Sequence, residues 1–122
     1  YSFPPVYSYP KPVQRPHPPL LLGSKSPRSF RRIVEWGDGW LPNRVTPADV
    51  EESRKKLDAM AAEAGRDPKS ITISVYGQLP ERDIVHSLLN AGADRVVVRP
   101  EHVETEKEMG EQLERMAEAV LR

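Results

Sequence analysis

The sequence predicts an α/β chain: four strand–helix units that make half of a (β/α)8 TIM-type barrel, behind an extended Pro-rich segment. Three observations lead there. First, short apolar or alternating runs take turns with amphipathic helical patterns, four times over, which argues for parallel strands joined by crossover helices. Second, four units fill 122 residues, about half of the roughly 250 that a full barrel takes. Third, "SITISVYG" alternates strictly, with Ile71, Ile73 and Val75 facing one way and Thr72, Ser74 and Tyr76 the other. The alternative closure is an open doubly wound sheet, whose central strands are buried on both sides and apolar throughout. A polar face suits a barrel interior that reaches a ligand cavity.

The elements follow in order. Seven of the 13 prolines lie in residues 1–19, "YSFPPVYSYPKPVQRPHPP". Proline has no N–H and biases its predecessor to extended backbone, so neither helix nor central strand forms there. Tyr1, Phe3, Val6, Tyr7, Tyr9 and Val13 are too apolar for an ordinary solvated linker. The segment is therefore expected to pack, extended, across a neighbouring surface, and residues 20–122 to form the half-barrel. Leu20 to Leu22 read as a short buried strand. Ser26 as N-cap and Pro27 at the first helical position open a helix whose apolar face is Phe30, Ile33 and Val34 and whose end is Gly37. Trp40 and Leu41 make the second strand, and both Trp36 and Trp40 are expected in the core.

Thr46-Pro47-Ala48-Asp49 is a second helix start. Val50, Leu57, Ala61 and Ala64 keep helical spacing up to Gly65. After the alternating strand comes a helix carrying Ile84, Val85, Leu88 and Leu89, ended by Gly92. "DRVVVR" is the fourth strand, and the last helix places Met109, Leu113, Met116, Ala117 and Val120 on one face. Its acidic run, "ETEKEMGEQLERMAE", reads as a solvated face with Glu–Lys and Glu–Arg pairs.

Composition narrows the function. The 18 basic and 18 acidic side chains balance, so no strong field draws nucleic acid or an anionic membrane. No apolar run approaches the ~20 residues needed to span a bilayer, and the start of the chain lacks the basic-then-apolar order of a signal peptide. Cysteine is absent, which excludes disulfides, thiolate catalysis and cysteine metal sites. The expectation is a cytoplasmic protein with a small-molecule partner, no nucleic acid, no membrane and no metal.

In barrels of this kind ligands meet the ends where strands lead into helices, and the opposite ends serve stability. Gly23-Ser24-Lys25-Ser26 follows the first strand. Gly23 allows close backbone approach, the helix start presents free N–H groups, and Lys25, with Arg28 nearby, adds positive charge. Together these suit a phosphate, while a capped helix with an exposed lysine explains the same residues without a ligand. Gly37-Asp38-Gly39 precedes a strand, so Asp38 is expected to hold its turn by bonding the turn's amides. Pro42, Asn43 and Arg44, then Tyr76, Gly77 and Gln78, then Arg99, Glu101 and His102 follow the other strands and can touch a ligand. Of the histidines, His17 and His86 have no role assigned, no pair has metal-ligand spacing, and His102 is the one acid–base candidate, with a surface histidine as the plainer reading. No catalytic base is identified.

The stretch "YPKPVQRPHPPLLLGSKSPRSFRRIVEWGDGWLP" resembles the luciferase-like monooxygenase family, the flavin- or deazaflavin-dependent oxidoreductases related to bacterial luciferase. The shared features are Lys11-Pro12, Gln14 and Pro18-Pro19, then a strand ending in a Gly turn, then Gly-Asp-Gly-Trp. "TPADVEESRKKLDAMAAEAGRDPKSITISVYG" and "LLNAGADRVVV" also look like that family's C-terminal portion. The resemblance implies a fragment: the last half of a (β/α)8 barrel that binds FMN or the 5-deazaflavin coenzyme (F-420 type) and a small organic substrate. It implies cofactor-phosphate contacts at Gly23, Ser24 and Lys25 and at Leu41, Pro42 and Asn43. With flavin the family's chemistry is reaction with oxygen, and with deazaflavin it is hydride transfer. The wording of "GDGWLP" looks closer to the deazaflavin-type and actinobacterial-like members. Family turns read Gly-Gly where this one reads Gly23-Ser24, so a serine at positive φ is a departure that bears on the cradle. A half-barrel has two open edges, so it is expected to form a homo-oligomer or to associate with the missing half. Two other functions fit the residues: a non-redox phosphate-binding barrel fragment, or a catalytically inactive half-barrel subunit.

Overall fold

The computed structural model describes residues 2–7 and 9–121. Strand β1 (Leu21–Leu22), helix α1 (Pro27–Glu35), strand β2 (Gly39–Trp40), helix α2 (Pro47–Glu63), a 3-10 turn (Pro68–Ser70), strand β3 (Thr72–Gln78), helix α3 (Arg82–Asn90), strand β4 (Arg95–Val98) and helix α4 (Glu106–Leu121) follow one another. The four strands form one parallel sheet in the order β1-β2-β3-β4. Spatial order equal to chain order has no switch point, which is the order of barrel strands and not of a doubly wound sheet. Helix α1 packs on β1 and β2, α3 on β3 and β4, and each helix touches the next.

Local chemistry sets the helix starts. Ser26 is the N-cap of α1, its Oγ accepting from the Ser29 N–H at 3.2 Å, with Pro27 at the first position. Thr46 and Asp49 form a reciprocal capping box on α2: the Asp49 N–H donates to Thr46 Oγ1, and the Thr46 N–H donates to Asp49 Oδ2. Gly65 (φ +70°) and Gly92 (φ +104°) reverse the chain after α2 and α3 in the left-handed region.

The core lies between sheet and helices. Ile71, just ahead of β3, and Ile73 and Val75 within it meet Phe30, Ile33, Val50, Leu57, Ala61 and Leu88, and all of these are almost wholly buried. Trp40 is fully buried with its ring edge-on to Phe30, centroids 5.5 Å apart. On the other face of β3, Thr72 and Tyr76 stand exposed and Ser74 is buried. The alternation therefore separates a helix-facing core from a barrel-interior face.

The strand N-termini are tied by side chains. The Arg66 guanidinium donates to the carbonyls of Ile33 (2.9 Å), Val34 (3.2 Å) and Gly37 (2.7 Å), closing the C-terminus of α1. Arg54 donates to the Ile71 carbonyl and pairs with Asp58 and Asp94. The glycines around Asp38 are steric necessities. A Cβ on Gly37 would stand 2.8 Å from Leu22 Cδ1, and one on Gly39 2.5 Å from the Thr72 carbonyl oxygen.

Several expectations need correction. Leu20 lies outside β1 and is exposed, its N–H bonded to the Asp38 carboxylate, while Leu41 lies outside β2. Asp38 thus holds the neighbouring chain segment and not its own turn. Trp36 is 48% exposed: as the C-cap, at φ −152°, it has left helical geometry and with it the apolar stripe of α1. Ala64 is likewise a C-cap and exposed. Leu89, Leu113 and Ala117 are also exposed, because α3 and α4 each bury a narrower stripe, centred on Val85 and Leu88 in one and on Met116 in the other. In the Pro-rich segment Phe3, Val6, Tyr7, Tyr9 and Val13 stay exposed, and only Pro16, His17 and Pro19 border a cavity of the body. Tyr1, also placed in that apolar set, lies outside the described residues. No helix among the described residues is long and apolar enough to cross a membrane.

Candidate functional site

The turn from β1 into α1 is shaped by Ser24, whose φ is +70°. A Cβ in that region costs about 1–2 kcal/mol, and two hydrogen bonds hold the conformation. The buried indole of Trp40 donates from Nε1 to the Ser24 carbonyl at 2.9 Å. Ser24 Oγ accepts from the Ser26 N–H at 3.2 Å, which leaves its own hydroxyl proton free to donate outward. Ser29 Oγ donates to the Gly23 carbonyl. The N–H groups of Ser24, Lys25 and Arg28 find no acceptor among the described residues.

The loop after β2 lies alongside. The Leu41 N–H bonds the Leu22 carbonyl at 2.9 Å, and a Cβ on Gly23 would stand 3.6 Å from the Leu41 carbonyl oxygen, so Gly23 has room. Pro42 is buried and its carbonyl accepts from the Tyr76 N–H at 2.8 Å. Asn43 pairs with Tyr76 in an isolated parallel bridge. Gly23, Ser24, Leu41, Pro42 and Asn43 therefore share one end of one strand pair.

Lys25 points elsewhere. Its Nζ lies 2.7 Å from Asp49 Oδ1, at the N-terminus of α2. The Lys25 ammonium, with the Thr46 N–H and hydroxyl, holds the Asp49 carboxyl down at about 2. Lys25 therefore brings its backbone N–H to the turn, and its charge is already matched.

A second assembly sits at the ends of β3 and β4. A cavity of about 620 Å³ is bounded by the strand ends, their loops and α4, a size suited to a small molecule. Two backbone irregularities shape it. Arg44 has φ +49°, and β3 breaks register with β4 at Gly77, whose φ is +77°. A side chain at Gly77 would stand 2.5 Å from Asn43 Oδ1. Of the residues that the sequence put after strands, Arg44, Gly77, Gln78, Arg99 and Glu101 line this cavity, but the six cofactor-phosphate candidates do not. Gln112 and Arg115 of α4 line it too. The sequence reading missed them, because they lie in an acidic run that looked like a solvated face. Gln78 is 9% exposed, and among the described residues its Nε2 has no hydrogen-bond partner, nor has Gln112 Oε1. A buried unmade hydrogen bond costs about 1–3 kcal/mol.

His102 and His86 are exposed, and His102 does not line this cavity. His17 Nδ1 lies 3.8 Å from Asp38 Oδ2, at the stability end of the sheet. No group of three or more His, Asp or Glu side chains converges among the described residues.

Known proteins agree with this architecture. The family model described as luciferase-like monooxygenase matches residues 1–82. An uncharacterized protein of Mycobacterium tuberculosis is 40% identical over 79 residues, 61% of this chain and 27% of that protein. The 5,10-methylenetetrahydromethanopterin reductase of Methanolobus tindarius is 36% identical over 58 residues, 48% of this chain and 18% of that protein. Among solved structures, the coenzyme F-420-dependent tetrahydromethanopterin reductase from Methanopyrus kandleri superposes with a TM-score of 0.63 at 18% identity, covering 84% of this chain and 50% of that one. The chain thus spans half the length of that reductase, and its four-unit sheet takes the place of half of a barrel. With two thirds of its residues inside the family model and its strands in barrel order, the chain belongs to the luciferase-like monooxygenase family.

Proposed function

We propose that this chain is the C-terminal half-barrel of a flavin- or deazaflavin-dependent oxidoreductase and that it holds the cofactor's phosphate between Gly23-Ser24-Lys25 and Leu41-Pro42-Asn43. The carrying observation is the β1–α1 turn: the N–H groups of Ser24, Lys25 and Arg28 without acceptors among the described residues, beside a glycine where a Cβ would meet only the Leu41 carbonyl oxygen, at 3.6 Å. Such a helix start suits a phosphate by hydrogen bonding and by its dipole. The Ser24 hydroxyl adds a donor, so the serine at the family's glycine position becomes a ligand. The bound cofactor supplies the redox step. The protein's part here is to anchor the cofactor's tail at the strand ends, leaving the ring system to a pocket completed by the remaining barrel units or by a second copy.

The test compares phosphorylated and unphosphorylated forms of each cofactor by fluorescence and calorimetry. FMN is set against riboflavin, and the deazaflavin coenzyme against its phosphate-free chromophore. A phosphate contact of this kind strengthens binding by about tenfold or more, a difference of 1.4 kcal/mol. Gly23→Asp, whose Cβ meets nothing nearer than the Leu41 carbonyl oxygen at 3.6 Å and so adds a negative charge without a clash, removes that gain. Equal affinity for the two forms of both cofactors, or a Gly23→Asp chain that binds as the parent does, overturns the assignment.

A further inference from the structure

The cavity at the ends of β3 and β4 is not the proposed phosphate turn, and it has a charge and hydrogen-bond pattern of its own. Three guanidinium side chains line it, Arg44, Arg99 and Arg115, with a single carboxylate, Glu101. None of the three has a side-chain hydrogen bond or ion pair among the described residues. Two positive charges are therefore left unbalanced around one concavity. Gln78 supplies the second observation. It is over nine-tenths buried, it lines the cavity, and its Nε2 donor is unmatched. Gln112 lines the same cavity, and its Oε1 acceptor is unmatched too among the described residues. The remaining wall is apolar: Leu79, Pro80, Pro100, Met116 and Ala119.

Backbone strain delivers these groups. Arg44 holds a left-handed conformation that a side chain rarely adopts, and the register break at Gly77 re-aims the end of β3. Both irregularities put a polar group on the same cavity, Arg44 from one loop and Gln78 from the next strand.

We propose that this cavity is a second ligand site, which takes a small organic anion. Its carboxylate or phosphate oxygens are bound by Arg44, Arg99 and Arg115 and accept from Gln78 Nε2. A hydroxyl or N–H of the same molecule donates to Gln112 Oε1, and its apolar body lies on Leu79, Pro80 and Met116. Arginine matches either oxyanion with paired N–H donors. Glu101 disfavours a second negative charge at its end of the cavity. This inference does not depend on which cofactor, if any, the β1–α1 turn binds.

The probes are inorganic phosphate and benzoate, titrated separately into the isotope-labelled chain, with sodium chloride at matched ionic strength as control. The readout is the side-chain amide resonance of Gln78 and the Nε–H resonances of the three arginines. Gln78 and at least two arginines shift saturably with one or both anions at roughly millimolar concentration, and chloride does not reproduce the shifts. A response to benzoate alone identifies carboxylates as the ligand class, and a response to phosphate alone identifies phosphate esters. Arg99→Gln and Arg115→Gln, both at exposed positions, each weaken the binding about tenfold with unchanged thermal midpoints. Gly23→Asp leaves it unaltered, which separates this site from the cofactor turn. No saturable shift at Gln78 with either anion, a shift equalled by chloride, or arginine variants that bind as the parent does overturns the proposal.

Discussion

Asp38 and Leu20 exchange two hydrogen bonds: the Asp38 N–H donates to the Leu20 carbonyl at 2.8 Å, and the Leu20 N–H donates to Asp38 Oδ2 at 2.7 Å. The same exchange recurs two strands on. The Asp94 N–H donates to the Ile73 carbonyl at 2.9 Å, and the Ile73 N–H donates to Asp94 Oδ2 at 2.7 Å. In each case an aspartate just before one strand ties off the start of the previous strand. Parallel strands begin side by side and leave such amides open, and a carboxylate one residue ahead of the ladder closes the gap.

The two clasps differ in burial, and this orders their energies. Leu20 is exposed, so its released amide reaches water in an Asp38→Ala chain, and the loss is about 1–2 kcal/mol. Ile73 is fully buried, so Asp94→Ala strands an N–H and unpairs Arg54, for a loss of about 2–3 kcal/mol. Denaturant unfolding of both variants is expected to rank Asp94→Ala as the more damaging, with neither changing cofactor or anion affinity. The reverse order, or lost affinity at Asp38→Ala, contradicts the assignment of this end of the sheet to stability.

How much of this was legible beforehand depended on the range of the interaction. Ser26-Pro27 and Thr46-Pro47-Ala48-Asp49 are local signals, and both helix starts lie where those residues put them. The alternation of residues 71–76 is also local and separated core from interior. Sorting residues by strand end kept Asp38 out of the site and put Arg44, Gln78 and Arg99 at the cavity. What the chain could not announce was pairing between elements. Lys25 looked free beside Gly23 because Asp49 is 24 positions away in sequence, yet the two are in contact. Gln112 and Arg115 reached the cavity only because α4 returns to the ends of β3 and β4. No spacing within an acidic helix encodes that return.

Trp40 links the family's Gly-Asp-Gly-Trp signature to the turn ahead of it. A Trp40→Phe chain keeps an aromatic ring against Phe30 but loses the indole donor to Ser24 and leaves a void. The expected cost is about 2 kcal/mol. Because the Ser24 carbonyl is then released, the turn also loosens: amide hydrogen exchange at Ser26, whose N–H donates to Ser24 Oγ, accelerates by more than the global loss of stability explains. Exchange that merely tracks global unfolding would show that the indole bond does not set the turn.

Ser24 gives an inverted substitution order. At an ordinary position alanine is more stabilising than glycine, by about 0.5–1 kcal/mol. At φ +70° the Cβ is itself the burden, and Ser24→Ala keeps it while losing the bond to the Ser26 N–H. Ser24→Gly relieves the strain and restores the family's Gly-Gly turn. The glycine variant is therefore expected to exceed the alanine variant by about 1 kcal/mol, read from thermal or denaturant midpoints. Alanine matching or exceeding glycine would place Ser24 outside the left-handed region.

The Lys25–Asp49 pair makes part of the stability depend on acid. Asp49 titrates at about 2, below its ordinary 3.8, chiefly through the Lys25 ammonium and then through the Thr46 N–H and hydroxyl. A carboxylate whose folded value is depressed binds fewer protons folded than unfolded. Its contribution is whole above 3.8 and drains away as pH falls through about 2. The Asp49 side chain is 33% exposed, so solvent screens the pair and the contribution is about 1 kcal/mol or less. Asp49→Asn is expected to be less stable than the parent by that amount at neutral pH, and the gap should close as pH falls from 3.8 towards 2. Lys25→Met should open part of the same gap, since the Thr46 bonds to the carboxylate remain. Unfolding curves taken across that range decide the matter. A gap that persists at its full size at the acid end would mean that the asparagine disturbs packing and that the carboxylate's charge contributes nothing.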